Sequence, residues 1–548
     1  MTSSASSVHG ATGAQDAPAP LHLRPAPTGL GRRRALRALG GGTLVAGAAA
    51  TGVATGPAAA AASRTRRPRR WNATPVASRA DRHLLNRFTY GITPDLVEEV
   101  TRLGGPAWFE AQVAAATADP GAADRLVAGW WPDLSLTGVE VLARHTAGTR
   151  SLWLLMDDYA QRALARRIVS PHQVLEVMTE FWENHLHVPV AADNMGVLRV
   201  EYGDRVRAHA LGRFEDLLHA TTTHPAMLAY LNNNSSTRWH PNENLGRELL
   251  ELHTVGVGNH TEDDIKDAAR VLTGWTFTWG EFETRFRADW HATGAVDVCG
   301  FAHANTDATG KDAVGAMLTY LAHHPATARR IATKLVMTFV DAESVPEGLV
   351  DRLAQAYLEH DTAIVPVLRV LVASPEFARA VDRRLRDADD DVVATYRVLG
   401  VRLTRPRNEA SAARQLRSQA ASLGLSPFAW PRPDGQPLGN RAWASPTRAL
   451  ASMTVHWQMA SRTWPVVDVV HPTMTQLVPE GRLRFDQLVD HLSRRLLGRT
   501  ASRSLLKAAT AATRIGPGVR VDSRDRRLAA GWAQLVAAVL DSPEFYYH

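Results

Sequence analysis

Gly203-Asp204-Arg205-Val206-Arg207-Ala208-His209-Ala210-Leu211-Gly212-Arg213-Phe214-Glu215-Asp216-Leu217-Leu218-His219-Ala220 places Val206, Ala210, Phe214 and Leu217-Leu218 three and four residues apart. Successive helical residues turn by about 100°, so these side chains share one apolar face. The same period recurs outward in both directions. Ser170-Pro171 opens a helix over 171–187, preceded by another over 152–168. Thr93-Pro94 and His324-Pro325 are cap-plus-proline starts, and Thr261-Glu262-Asp263-Asp264 resembles a capping box. Further helices are expected from Asp81 to Phe88, over 347–359, 362–373 and 447–461, and from about 485 to 512.

Only Trp275 to Arg287 alternates polar and aromatic residues around a glycine, Gly280, as a small β-hairpin does. The expected fold is therefore mainly α: a multi-helix, two-lobed bundle with a minor hairpin near 275–287. Its parts are a main helical domain (76–425), a Pro/Gly-rich loop (426–446) and a C-terminal helical lobe (447–548) packed on the main domain. Residues 367–377 and 535–545 both end in Ser-Pro-Glu-Phe. A duplicated unit and shared helix-terminus chemistry explain that echo equally well.

The formal charge of +7 is not spread through the chain. Residues 1–70 contain ten arginines and one acid, Asp16, and the remainder has 52 bases and 54 acids. A near-neutral body excludes a general nucleic-acid binder, which needs a basic surface. Arg32-Arg33-Arg34 precedes a mildly apolar Ala/Gly run, then Pro57 and the alanines 58–62. Paired arginine, apolar run and small-residue cut site, in that order, resemble a twin-arginine signal peptide over 1–62, cleaved near Ala60-Ala62. The alternative is a low-complexity tail. An exported protein, extracellular or in the cell envelope, and the twin-arginine machinery as a partner follow from the first reading. Residues 63–75 form a basic linker. No later window is long and apolar enough for an internal transmembrane helix, and Cys299, the single cysteine, allows no intrachain disulfide.

The densest polar cluster runs from Pro241 to Thr254. Asn242 is an N-cap candidate. Asn244, Glu248 and Glu251 fall on one helical face, and Glu243, Arg247 and Leu250 on another. Arg247 can pair with Glu243 or Glu251. The cluster suits either a solvated, ion-paired helix or a site bordered by the polar loop 232–236. A second cluster, Glu180 to His187, puts Glu183 and His187 at i, i+4, a spacing a divalent metal can use but does not require. No nucleophile elbow, phosphate loop or zinc helix occurs.

Several blocks together resemble the bacterial family catalogued as the domain of unknown function 1800. They include residues 84–91, Phe181-Trp182-Glu183-Asn184-His185, 241–256, Ala269 to Trp275, 324–328, 374–377 and the Pro-rich 427–437. The resemblance spans about residues 80–545 and implies a large, often exported bacterial protein without an agreed activity. One departure is Thr306, where the family's segment before Lys311 usually has a histidine. Two functions are expected on these grounds. One is an envelope or extracellular hydrolase-like enzyme acting on a glycan. Its catalytic candidates are Glu248, Glu251, His253 and His185, and its substrate-binding candidates Asn184, Asn242, Asn244, Arg247, Arg270, Trp275 and Lys311. Trp182, Trp275 and Trp279 are its candidate sugar-stacking wall. The other is a non-catalytic envelope scaffold or binding protein.

Overall fold

The computed structural model describes residues 71–192, 195–307 and 310–548. The expected signal peptide and residues 63–70 of the linker lie outside them. The described residues hold 27 α-helices and four two-stranded antiparallel sheets, so the fold is mainly α with minor hairpins. None of these helices is long and apolar enough to cross a membrane.

Local chemistry sets several helix ends where the sequence placed them. Thr93 caps Pro94–Leu103 and Thr261 makes a full capping box on Glu262–Leu272. Ser170-Pro171 does not open a helix over 171–187, since Ser170 ends Leu152–Val169 and the next helix runs Gln173–His185. The segment 203–220 is not one helix. It divides into Arg199–His209 and Phe214–Thr222, although its apolar residues stay on a buried face. Between them Gly212 and Arg213 turn outward to pair with another segment. Phe214 N donates to Thr362 O, and Ile364 N to Gly212 O, both at 3.0 Å. Tertiary pairing there overrides helical periodicity. Gly498 similarly separates Phe485–Leu497 from Arg503–Thr513.

The hairpin appears as Trp275–Phe277 against Thr284–Phe286. A second, Val296–Val298 against Phe301–His303, follows it. Cys299 sits in that tight turn at φ 55°, with its thiol raised to about 12 by burial and by the carboxylates of Asp264 and Asp297.

Two hydrophobic cores organise residues from Ala77 onward. The first gathers helices between Leu84 and Ala380. The second joins Val127 to Ile168 with residues between Leu385 and Phe545. Its apolar wall includes Leu155, Leu164, Val393, Tyr396, Leu488 and Leu535.

A polar clamp ties helices of the second core together. Asp391 accepts from Ser452 Oγ at 2.6 Å and pairs with His456 Nε2 at 2.9 Å, while His456 Nδ1 meets Asp541 at 2.7 Å. The Ser/His/Asp grouping looks like a hydrolytic triad, but Ser452 and His456 are fully buried. Burial disfavours the imidazolium, yet Asp391 and Asp541 more than offset that and hold its pKa at about 9. A cation at neutral pH cannot act as a general base. Because the folded pKa exceeds the ordinary 6.5, the clamp's stabilisation is complete below about pH 6.5 and disappears as pH rises through about 9. Denaturant titrations across that window should show a loss of about 3 kcal/mol in the native protein. The loss belongs to the difference between the native protein and His456→Asn, because Lys334, lowered to about 7, adds a slope of the opposite sign to both.

Candidate functional site

The 242–254 segment begins as the α-helix Glu243–Glu248 and continues as a π-helical turn, Leu249–His253. Thr254 closes that turn, its N–H and hydroxyl both donating to Leu249 O, at 2.9 and 2.6 Å. The wider turn changes the expected faces. Leu250 is fully buried and leaves the side of Glu243 and Arg247. Arg247 pairs with Glu243 and Glu251, as their i±4 spacing predicts, and bridges to Glu262 as well. π-turns that interrupt α-helices are frequent at functional sites.

His253, at the end of this turn, meets the Gln173–His185 helix. His185 Nε2 donates to His253 O at 3.0 Å, and both imidazoles are 1% exposed. Burial, followed by the charges of Lys334 and Arg330, depresses both pKa values, His253 to about 3. Both rings are therefore neutral. His185 Nδ1 and His253 Nε2 have no partner in the protein. Buried polar atoms are normally satisfied, so two such atoms beside one another are informative.

Sequence patterns missed the other half of this site. The helix Pro325–Phe339 buries Ile331, Leu335 and Phe339, as its apolar stripe predicts. Its flank brings Arg330 and Lys334 against the two histidines. Arg330 Nε donates to Leu252 O at 2.8 Å. Lys334 makes no side-chain hydrogen bond or ion pair, and burial, with Arg330's charge, lowers it to about 7. A lysine beside a core stripe reads in sequence as an ordinary snorkelling surface residue.

Across from them stands the Pro/Gly-rich loop. His187 Nε2 donates to Trp430 O at 2.8 Å, and Tyr230 OH to Pro431 O at 3.3 Å. Asn184 grips the loop from both sides: Nδ2 donates to Gln436 O and Oδ1 accepts from Gln436 N. Gly435, at φ 76°, is required because a Cβ there would lie 2.1 Å from Asn184 O. The loop thereby presents Asp434, whose carboxylate acts on Lys334, Glu248 and Tyr230. Glu248 is half-buried without a hydrogen bond or ion pair. Burial, then the neighbouring Glu251, raises its pKa, and Asp434 adds to that effect.

The remaining sequence candidates work elsewhere. Asn242 caps its helix by accepting from Asn244 N, and Asn244 is exposed. Arg270 pairs with Asp267 and donates to the carbonyls of Thr293, Gly294 and Ala295. Trp275 packs edge-on against Phe286, and Lys311 is exposed at the start of its helix. Trp182, 1% exposed and stacked on Phe214, is core and cannot face a sugar. Thr306 is exposed; its loop is organised by the buried pair Asn305 and His291, 2.9 Å apart.

Glu183 and His187 are also committed to protein partners, Glu183 to Tyr159 and Arg199 and His187 to the loop. Glu215, His323 and Asp361 come within 4.8 Å of one another, but Arg213 already pairs with both carboxylates. A cleft of about 730 Å³ borders Thr137, Val197 and Phe282 and contains none of the sequence candidates. Of its five carboxylates, Asp133, Glu201, Asp204 and Glu281 are each held by arginine, and Glu283 is not.

The family model described as protein of unknown function (DUF1800) matches residues 83–547. The chain belongs to the DUF1800 family. No curated protein and no solved structure matches it significantly. The match takes in every element of the site, from His185 through the π-turn and Lys334 to Asp434. Within this family member, Arg247's exposed pairs carry little of the stability. Arg247→Ala should cost less than about 1 kcal/mol in denaturant unfolding, as exposed ion pairs do.

Proposed function

We propose that this protein is an exported, hydrolase-like enzyme of the cell envelope or extracellular space, with acid–base chemistry on Glu248 and Lys334. One observation carries the reading. An acid pushed up and a base pushed down in pKa are gathered around the Asp434 carboxylate, and neither is used by the protein's own hydrogen bonding. Environments that draw two pKa values toward neutrality are how one site supplies both a proton donor and an acceptor. His253 and His185 lie beneath as neutral imidazoles, which position the site and shape its field.

The test is a screen of chromogenic glycosides, esters, amides and phosphoesters with the purified mature protein, with elemental analysis alongside. Glu248→Gln and Lys334→Met should each lower turnover about 100-fold while remaining folded. Turnover unchanged in both folded variants refutes the assignment. The mature protein should begin just after Ala60 or Ala62, as export through the twin-arginine machinery requires; a secreted chain that still carries residues 1–62 contradicts that part.

A non-catalytic envelope scaffold is the second reading, and one specific observation favours it. Asn184, Asn242, Arg247 and Arg270 all serve internal caps, struts or ion pairs. It predicts that no compound is turned over and that Glu248→Gln changes nothing measurable.

A further inference from the structure

We propose that the Arg330–Lys334 face of the site binds an oxyanion group (carboxylate, sulfate or phosphate) carried by the molecule on which this protein acts. The proposal gives a substrate class to the site of the proposed function and rests on that reading only for the word "acts"; the binding itself does not depend on it.

The floor of the site is cationic and unneutralised. Arg330 and Lys334 stand one helical turn apart, half-buried, and no carboxylate forms an ion pair with either. Arg330 spends Nε on Leu252 O, and its Nη1 side lies over Gly256, where a Cβ would come within 3.1 Å. A glycine there leaves the guanidinium room at the π-turn's exit. Next to these cations His253 Nε2 is buried without a partner and can carry the hydrogen an oxyanion accepts, whereas His185 spends its one N–H on His253 O and offers an anion nothing. Several buried arginines of this chain are paired with carboxylates: Arg199 lies against Glu183, Arg207 against Glu176, and Arg167 against Glu180 and Asp389. Arg87 is the counterexample, buried on the carbonyls of Val340 and Ala380 alone. Arg330 and Lys334 differ from it in being two neighbouring cations, whose mutual repulsion an external anion relieves.

The rim has the opposite sign. Glu248 and Asp434 stand on it, and Asp434 is already bonded to Trp430 Nε1 and Arg432. A ligand with an anionic group and a neutral reacting bond fits this polarity: the charge docks on the floor and the bond lies beside Glu248. Lys334's own proton matters as well. Near pH 7 it is partly protonated, and an anion beside it draws the proton on, so with the ligand bound Lys334 is the proton donor and the Glu248 carboxylate the acceptor. The groups facing it are Arg330 on its own helix, His185 and His253 from the two segments packed against it, and Asp434 from the loop. Both histidines stay neutral and Arg330 stays charged through the neutral range, so the pH response belongs to Lys334.

Sodium sulfate is the direct probe, since sulfate does not titrate near neutrality. It should bind the mature wild-type chain in calorimetry and raise its melting temperature above sodium chloride of equal ionic strength. Affinity should weaken as pH rises through about 7. Lys334→Met should reduce affinity by at least about tenfold without lowering the melting temperature, because it removes an unpaired buried charge. Acetate and phosphate, tested in parallel, separate a planar carboxylate site from a tetrahedral one. Equal sulfate binding by wild type and Lys334→Met, or no binding by folded wild type, overturns the proposal. The wild type separates the two claims: sulfate binding without turnover of any substrate leaves the anion site standing and removes the enzyme.

Discussion

Arg199→Ala should destabilise the protein by about 3–5 kcal/mol, as breaking a buried ion pair does. Arg199 is 0% exposed and lies on the helix Arg199–His209. Its Nη1 reaches Glu183 at 3.2 Å and Tyr159 OH at 2.9 Å, and Nε donates to Val188 O at 2.9 Å. The guanidinium also stands 4.7 Å from the Tyr159 ring and 5.1 Å from that of Phe428. Truncation therefore strands the Glu183 carboxylate in the core and leaves a carbonyl unpaired. Gly203 confirms how tightly the network is built, since a Cβ there would lie 1.8 Å from Tyr159 OH. Urea unfolding of Arg199→Ala measures the loss. A double variant, Arg199→Met with Glu183→Gln, should recover part of it, because the stranded charge is gone. A single variant as stable as wild type would mean that Glu183 finds another cation.

Gly435→Ala is the second large effect. Its Cβ meets Asn184 O at 2.1 Å and Asn184 Oδ1 at 2.5 Å, and φ is 76°. Left-handed backbone costs a residue with a Cβ about 1–2 kcal/mol, and two lost hydrogen bonds cost about 1 kcal/mol each, giving about 2–4 kcal/mol. The loss should be local. Hydrogen exchange should show protection falling over 428–437 and at Asn184, with the two hydrophobic cores unchanged. Undiminished protection of the loop would show that it adjusts without leaving Asn184.

The fold was legible where chemistry is local. Caps at Thr93 and Thr261 and the apolar stripe of Ile331, Leu335 and Phe339 mark helices whatever surrounds them. The hairpin at Trp275 was equally plain. The break at Leu211–Arg213 was hidden because it exists for Thr362 and Ile364, about 150 residues away. The π-turn was hidden for a related reason: its residues have ordinary helical propensities, and only the closure onto Leu249 and Leu250 by Thr254 and Gly256 widens the turn. In the site, sequence density picked out Glu248, His253 and His185, which do converge. It also picked out Arg247, Arg270 and Asn242, whose partners are structural. Density of polar residues does not separate a satisfied group from an unsatisfied one. Lys334 and Asp434 escaped notice because neither belongs to a cluster along the chain.

The composition of the second core has a consequence for synthesis. Leu155, Leu164 and Ile168 emerge from the ribosome more than 200 residues before the helices Ala388–Leu399 and Ala412–Ser422 that pack against theirs. Over that stretch of translation the nascent chain carries a partly uncovered apolar face, and its closure waits for residues beyond 410. Such long-range contacts slow folding and lengthen the exposure of sticky surface. A chain arrested or nicked ahead of those two helices keeps that surface open to chaperones and proteases.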